Sequence, residues 1–304
     1  YAPARLWGQL LMKELKHYVS ACKFRAATEA AVIACDGIDG VIDGVIGDPR
    51  RCDYDPEPLV GKSVHTCGEF SATDAEIVRA SWQGPKRLDG SFMWYGFDRG
   101  ANLSTLNETE EDENGLLVPG ENLAKYFLSW HRYFLSQNPD FDFATVTLEQ
   151  FEEYWLQSTE QYGQVYTADN PNLSGLYKRG GKVLMWHGES DEYISSGGQI
   201  EYLNRVKDYF GSWQKTDKVL RLFMAPGVGH CGGGKGPTPT GMLDALMAWV
   251  ERGKAPERLL AVTRDKNTDA IQSSRPLCKY PNVARYKSIG STDKASNFEC
   301  ANDY

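Results

Sequence analysis

Two polar side chains follow two short apolar runs in the second half of the chain. Asp191 comes soon after residues 183–186, and His230 comes soon after residues 219–224. Such runs are typical of strands buried on both faces, and the helical periodicity between them predicts a strand–helix–strand unit with parallel strands. Because the carboxyl ends of parallel strands meet at one edge of a sheet, the acid and the imidazole are expected to lie together there. An acid followed by a histidine matches the last two members of a Ser…Asp…His hydrolase triad.

The acid of this pair has one competitor. Glu189 lies in the same strand-end loop as Asp191, and a strand-end acid can also simply cap a helix. His230 lies in a glycine-rich loop that lets an imidazole move between nucleophile and leaving group, as a general base must. His187, at the end of its strand, is interpreted as structural, and His131 as a helix histidine without a catalytic role.

A nucleophilic serine is not evident. In an α/β-hydrolase the nucleophile lies upstream of the acid in a Gly-x-Ser-x-Gly turn that leads directly into a helix, and the sequence contains no such turn. Ser196 lies between Asp191 and His230, which is the wrong place in that order. Either the triad interpretation is wrong, or the serine belongs to another polypeptide.

A second candidate site lies in residues 35–52, where aspartates are separated by glycines. Asp36, Asp39 and Asp43 can converge because glycine permits tight turns. Hard cations such as Ca²⁺ bind about six to eight oxygen ligands, although this spacing is not that of an EF-hand. The pattern therefore indicates either a calcium loop or a solvated acidic turn.

The Asp191…His230-Cys231 pattern and the acidic loop together resemble the fungal tannase and feruloyl esterase family. The resemblance implies a Cys-Ser…Asp…His-Cys arrangement in which the two cysteines form a disulfide, and this chain lacks the Cys-Ser. It also implies a precursor cut into two disulfide-linked chains, of which this one, beginning at Tyr1, resembles the C-terminal product. For the acidic loop it implies a calcium site with three carboxylate and two backbone carbonyl ligands, from Asp36, Asp39, Asp43, Val41 and Val45.

Seven cysteines leave at least one without a partner in the chain. Two pairs, Cys35–Cys52 and Cys278–Cys300, each bracket a segment and are expected to form disulfides. Cys22 and Cys67 then remain, and the sequence does not settle whether they pair with each other. Cys231 is then expected to bond to a cysteine of a partner chain, the N-terminal chain of the same precursor.

Net charge and glycosylation sequons indicate which partners and which compartment suit the protein. The formal net charge of −8, without a basic cluster, disfavours nucleic acid and anionic membranes as partners. N-glycosylation sequons occur in polar, loop-like sequence at Asn102, Asn107 and Asn172. Together with the cysteines they predict a secreted, oxidised and glycosylated protein.

The remaining chain must carry these loops. Residues 8–178 are predicted to form a mainly helical and irregular lid domain that holds the acidic loop, with nothing to place a cation near the triad. Residues 1–7 and 179–304 are assigned to the C-terminal part of an α/β-hydrolase core. After His230 the pattern predicts a helix over 239–252, with Val250 facing inward, and a strand at 259–262. Aromatic residues within 90–100 could hold a phenolic ring or simply anchor their loop.

The resemblance implies a serine-type carboxylic ester hydrolase that cleaves the galloyl esters of tannins. His230 would act as general base and then general acid, Asp191 would orient it, and the partner chain would supply the serine. A feruloyl esterase is the nearest alternative. A calcium-stabilised, glycosylated binding module without catalysis is an alternative of a different class, but it leaves the Asp191…His230-Cys231 pattern unexplained.

Overall fold

Helices dominate the first 178 residues of the computed structural model, which describes residues 2–64, 66–105, 107–120 and 125–302, apart from the side chains of residues 125 and 126. The helices are α1 (Trp7–Glu14), α2 (Ala21–Cys35), α3 (Ala72–Gln83), α4 (Lys125–Trp130), α5 (Leu148–Tyr166) and α6 (Ser174–Lys178). Helix α4 continues as a π-helix (His131–Leu135), and β1 (Thr109–Glu111) pairs with β2 (Leu117–Pro119) in an antiparallel hairpin. Short 3-10 helices cover Pro3–Leu6, Asp36–Asp39, Pro49–Arg51, Glu57–Leu59 and Phe143–Thr145. Tyr1, the first residue of the predicted core segment 1–7, lies outside the described residues.

Capping boxes fix the starts of two of these helices. The Ser71 hydroxyl accepts from the backbone N–H of Asp74, whose carboxylate accepts from the backbone N–H of Ser71, and Thr147 with Gln150 repeats the exchange. Their apolar faces pack into two clusters of buried side chains that anchor the helical region. None of the described helices has both the length and the apolar character that crossing a bilayer requires.

A parallel strand pair lies at the centre of the second half. Strands β3 (Val183–Gly188) and β4 (Leu220–Ala225) pair in register from their first residues to their last, and α7 (Ser196–Phe210) with the short α8 (Trp213–Thr216) connects them. The strands pack on α7 through one face and on α9 (Met242–Arg252) through the other. The predicted strand–helix–strand unit is confirmed.

Strand β3 is less buried than the sequence predicts. Every residue of β4 is buried, whereas β3 is partly exposed from Val183 to His187. The second edge of β4 is covered, because the backbone N–H of Tyr280 donates to the Leu222 carbonyl at 2.8 Å. In the part of the chain that the structure describes, no strand pairs with the second edge of β3.

The C-terminal part adds two antiparallel sheets. One consists of β5 (Thr238–Thr240), β6 (Arg258–Arg264) and β7 (Ile271–Cys278), and the other of β8 (Val283–Tyr286) and β9 (Phe298–Ala301). Residues 230–232 and 295–297 form 3-10 turns. The predicted strand at 259–262 is confirmed within β6.

Helix α9 differs from its prediction in where it begins and in the direction of one apolar side chain. It begins at Met242 because residues 238–240 form β5, and Val250 faces outward. Leu243, Met247 and Val250 are all exposed and recur at helical spacing, so they form an apolar stripe, here called the α9 stripe.

Candidate active site

Asp191 and His230 meet at the carboxyl edge of the β3–β4 pair. The Nδ1 atom of His230 lies 3.1 Å from Oδ2 of Asp191. Because a carboxylate can only accept, Nδ1 must carry the proton, which leaves Nε2 of the ring as an acceptor. The acid is buried, whereas the His230 side chain is 36% exposed, so the ring remains accessible from outside.

The acid is held by its own turn. Its second oxygen, Oδ1, accepts from the backbone N–H groups of Tyr193 at 2.9 Å and Ile194 at 2.8 Å. His187 supports the same turn, since its Nε2 lies 3.0 Å from the Ile194 carbonyl oxygen and 3.8 Å from the Asp191 carboxylate. Both oxygens of Asp191 are therefore occupied, which fixes the carboxylate toward His230.

The histidine loop is fixed through its backbone. The N–H of His230 donates to the Glu192 carboxylate at 3.1 Å. The loop also approaches β3 so closely that a Cβ on Gly188 would lie 2.2 Å from the Val228 carbonyl oxygen. Glycine at the end of β3 is thus required for the two loops to meet. Glu192 was not anticipated from the sequence, where only its position beside Asp191 could have drawn attention to it.

Glu189, the competing acid, lies elsewhere. Its side chain is 1% exposed and pairs with Arg50, whose Nη1 atom lies 3.2 Å from Oε1 of Glu189. Burial raises the pKa of Glu189 to about 8, against the lowering effect of Arg50. The geometry therefore favours Asp191 over Glu189 as the partner of His230.

No serine among the described residues is bonded to the His230 ring. Ser196 is buried at the start of α7, where its hydroxyl donates to Asp98 at 2.5 Å. Among the described residues, the His230 ring bonds to Asp191 and the His230 backbone N–H to Glu192, and no hydrogen bond joins the ring to a serine hydroxyl.

Cys231 carries a free, exposed thiol directly beside the histidine. The other cysteines form the three expected disulfides, Cys22–Cys67, Cys35–Cys52 and Cys278–Cys300. The structure therefore contains the Cys22–Cys67 disulfide, which the sequence left unsettled.

The three aspartates of the acidic loop have carboxylates that bond to backbone N–H groups or to an arginine. The Asp36 carboxylate accepts from the backbone N–H groups of Asp43, Gly44 and Val45, and Asp43 pairs with Arg275 at 2.9 Å. Burial, with smaller effects of Asp43 and Asp36, raises the pKa of Asp39 to about 6. The donor set suits a hard cation in its chemistry. Within the described ranges, however, no three acidic, histidine or cysteine side chains are arranged as metal ligands.

The acidic loop does not lie apart from the proposed triad. Val45 packs on the histidine loop, where a Cβ on Gly227 would be 2.7 Å from Val45 Cγ1. Residues 45 and 227, which are far apart in sequence, are therefore in contact, so this part of the acidic loop packs against the histidine loop. The position of a cation relative to the triad stays a prediction.

The three sequons differ in exposure. Asn102 and Asn172 are exposed. Asn107 is 2% exposed, and its amide donates to the Leu103 carbonyl at 2.9 Å and to the Ser81 hydroxyl at 3.4 Å. A glycan on Asn107 does not fit this packing, so the prediction for that residue is corrected.

Known proteins resemble the chain along nearly all of its length. Residues 5–301 match the family model described as "Tannase and feruloyl esterase". A "Probable feruloyl esterase" of Arthroderma benhamiae is 38% identical over 98% of this chain and 56% of its own length. A "Mono(2-hydroxyethyl) terephthalate hydrolase" of Piscinibacter sakaiensis is 27% identical over 90% of this chain and 51% of its own length.

Solved structures show the same fold. The tannin acyl hydrolase from Aspergillus niger superposes with a TM-score of 0.88 at 21% identity, over 99% of this chain and 57% of that one. Feruloyl esterase B from Aspergillus oryzae gives a TM-score of 0.81 at 26% identity, over 99% of this chain and 61% of that one. The α/β-hydrolase fold class is confirmed, and the chain spans a little over half the length of these relatives.

Proposed function

Because the chain belongs to the tannase and feruloyl esterase family, we propose that it forms the acid–base half of the active site of a serine-type carboxylic ester hydrolase. The observation that carries this proposal is the 3.1 Å contact between His230 Nδ1 and Asp191 Oδ2 at the shared strand edge. A buried carboxylate that orients an accessible imidazole is what general-base activation of a hydroxyl requires.

The chemistry follows from the free Nε2 of His230. This nitrogen accepts the serine proton while the serine oxygen bonds to the ester carbonyl carbon. When the tetrahedral adduct collapses, the C–O bond to the alcohol breaks and the alcohol takes the proton from His230. A water molecule then repeats the sequence, releasing the carboxylic acid and restoring the serine. Asp191 accepts from Nδ1–H throughout and stabilises the imidazolium.

The nucleophile is proposed to come from a polypeptide segment outside this chain, the N-terminal chain of the same precursor. Supporting this, no described serine bonds to His230, the exposed Cys231 thiol lies beside it, and no described strand pairs with the second edge of β3. A Cys-Ser sequence on that segment would place the serine next to His230 through a disulfide to Cys231. A strand beside β3 would end at the same sheet edge, where Nε2 needs the hydroxyl.

The substrate is proposed to be an ester of a phenolic acid. The Tyr193 ring lies 5.0 Å from the His230 ring, and Trp94 and Phe97 of the aromatic segment 90–100 pack in the same cluster as Tyr193. Aromatic side chains of this kind can stack on a phenolic acyl group. Galloyl esters of tannins and feruloyl esters are the two candidates, and the names of the relatives support both.

Calcium is proposed as a structural ion of the acidic loop, held by the Asp36, Asp39 and Asp43 carboxylates and the Val41 and Val45 carbonyls. Secretion is proposed as well, because disulfides persist in oxidising compartments and Asn102 and Asn172 are exposed for glycosylation.

Hydrolysis of methyl gallate and methyl ferulate by the complete processed protein tests the function. In His230→Ala we expect kcat to fall by about 10⁴-fold, because no imidazole remains to accept the serine proton. The ratio of kcat/KM for the two esters decides between the two acyl groups.

His17→Ala is the matched control, since it removes another histidine–aspartate contact, 2.8 Å from Asp74, in the helical region. It should leave kcat unchanged. Near-normal activity of His230→Ala, or no hydrolysis of either ester by the unmodified protein, would contradict the proposal.

A further inference from the structure

Residues 45–50, the second half of the acidic loop, touch both loops that carry the proposed acid–base pair. On the histidine side, Val45 packs against Gly227. Gly227 has a φ of +69°, so this turn requires glycine both for its backbone and for the close approach of Val45. The position of the histidine loop is therefore set partly by the acidic loop.

On the acid side, the contact is made by Arg50. Its guanidinium Nη1 atom lies 3.2 Å from Oε1 of Glu189, and the Arg50 side chain is 18% exposed. Glu189 is buried and stands two residues before Asp191. Arg50 thus reaches across from the acidic loop to the turn that holds the proposed catalytic acid.

Arg50 is itself held rigidly. Its Nε and Nη2 atoms both lie 2.8 Å from Oδ1 of Asp48, which is buried. The guanidinium also lies over the Tyr280 ring, 5.3 Å from its centroid. The Cys35–Cys52 disulfide closes the loop two residues later. These contacts hold the long Arg50 side chain in one conformation and offset the conformational entropy that it loses by being ordered.

The turn that Arg50 reaches is bonded to the end of β4 and to the histidine loop that follows it. The backbone N–H of Glu189 donates to the Ala225 carbonyl, and that of Ser190 donates to the Val228 carbonyl, both at 2.9 Å. A shift of Glu189 would therefore move Asp191 relative to His230. Glu189 would shift without Arg50, because its buried carboxyl group would lose the polar partner that it contacts at 3.2 Å.

We propose that Arg50 is a positioning residue, which holds the Glu189 turn so that the Asp191 carboxylate stays aligned with His230. The inference rests on the proposed hydrolase function, and it extends that function to the acidic loop. Arg50 touches no reacting atom; it acts through Glu189.

The test compares Arg50→Met, Arg50→Lys and Arg221→Met in the complete processed protein. Arg221→Met is the matched control, because Arg221 is also a buried arginine in a carboxylate pair, 2.6 Å from Glu257, but lies at the far end of β4. We expect Arg50→Met to lower kcat by about 10- to 100-fold with KM little changed, since small displacements of a catalytic group have effects of that size. Arg50→Lys should have a higher kcat than Arg50→Met, because lysine keeps the positive charge but lacks the several N–H donors of the planar guanidinium.

A second readout does not depend on activity. The imidazole N–H proton that bonds Asp191 should give a downfield NMR signal that is absent from His230→Ala. This signal should be lost in Arg50→Met and kept in Arg221→Met. If the unmodified protein hydrolyses no ester, the proposed function fails, and the NMR signal still decides the role of Arg50.

Three results would overturn the positioning role. They are an unchanged kcat and N–H signal in Arg50→Met, an equal loss of kcat in Arg221→Met, and no recovery of kcat in Arg50→Lys. If Arg50→Met does not fold, Arg50→Lys is compared directly with the unmodified protein. A partial loss of kcat together with a weakened N–H signal would then support the role, and an unchanged kcat and N–H signal would oppose it.

Discussion

At the scale of single residues, His131 shows how the helical region excludes charge. Its ring is fully buried, stacked on Phe141 at 5.7 Å, with the edges of Phe143 and Tyr154 against it. Nδ1 lies 3.1 Å from the Phe127 carbonyl oxygen. Burial lowers the pKa of His131 to about 4, so the folded protein holds a neutral imidazole at neutral pH.

This burial predicts acid sensitivity. As the pH falls from 6.5 to about 4, the unfolded chain takes up a proton at His131 before the folded chain does. The free energy of unfolding should therefore fall in that window, by at most about 1.4 kcal/mol per pH unit from this residue. In His131→Phe, which cannot titrate, stability measured by urea unfolding should decline less over the same window. Parallel stability–pH curves for the two proteins would contradict the prediction.

The residue scale also shows what sequence can decide about the site. Strand order placed an acid and His230 at one edge, and both candidate acids lie there. Their types and spacing could not separate Asp191 from Glu189, because the choice depends on side-chain direction. In the structure the Glu189 side chain contacts Arg50, which is far away in sequence, and the Asp191 side chain contacts His230.

At the scale of elements, the proposed calcium site of the acidic loop predicts an effect of Ca²⁺ on stability. With a cation bound, the mutual repulsion of Asp36, Asp39 and Asp43 would be offset. We expect Ca²⁺ to raise the melting temperature and a chelator to lower it, with the shift much reduced in Asp39→Asn. Asp208→Asn, at an exposed acid on α7, is the control and should keep the full shift. Equal melting temperatures with Ca²⁺ and with chelator would indicate an empty loop.

Elements were predictable where their own residues determine them. The apolar runs of β3 and β4 and the periodicity of α7 gave the right unit. Exposure was not predictable, because apolar composition does not reveal which neighbours are present. β3 and Val250 of α9 were predicted to be buried, yet β3 is partly exposed and Val250 is exposed. The contact between Val45 and Gly227 was equally hidden, since no local pattern records it.

At the scale of the whole molecule, the chain resembles one part of a larger catalytic unit. It spans 56% of its relative from Arthroderma benhamiae. Its proposed acid–base pair lies beside a free thiol and beside an edge of β3 with which no described strand pairs. The proposed partner segment would complete each of these features at once.

The covalent part of this proposal has a direct test. Peptide mapping of the purified protein without reduction should find Cys231 bonded to a cysteine followed by serine on another segment. Cys231→Ser should lose that link and lower kcat, because the serine would no longer be held in register with His230. A free Cys231 thiol in the active protein would refute the link.

The open edge of β3 has a further consequence for the chain on its own. A strand with unpaired N–H and C=O groups is a template for other strands, and the adjacent α9 stripe adds exposed apolar surface. Natural proteins protect such edges because they nucleate aggregation. Produced alone, residues 1–304 would therefore be prone to aggregation, and the N-terminal segment proposed above would also protect this edge by pairing with β3.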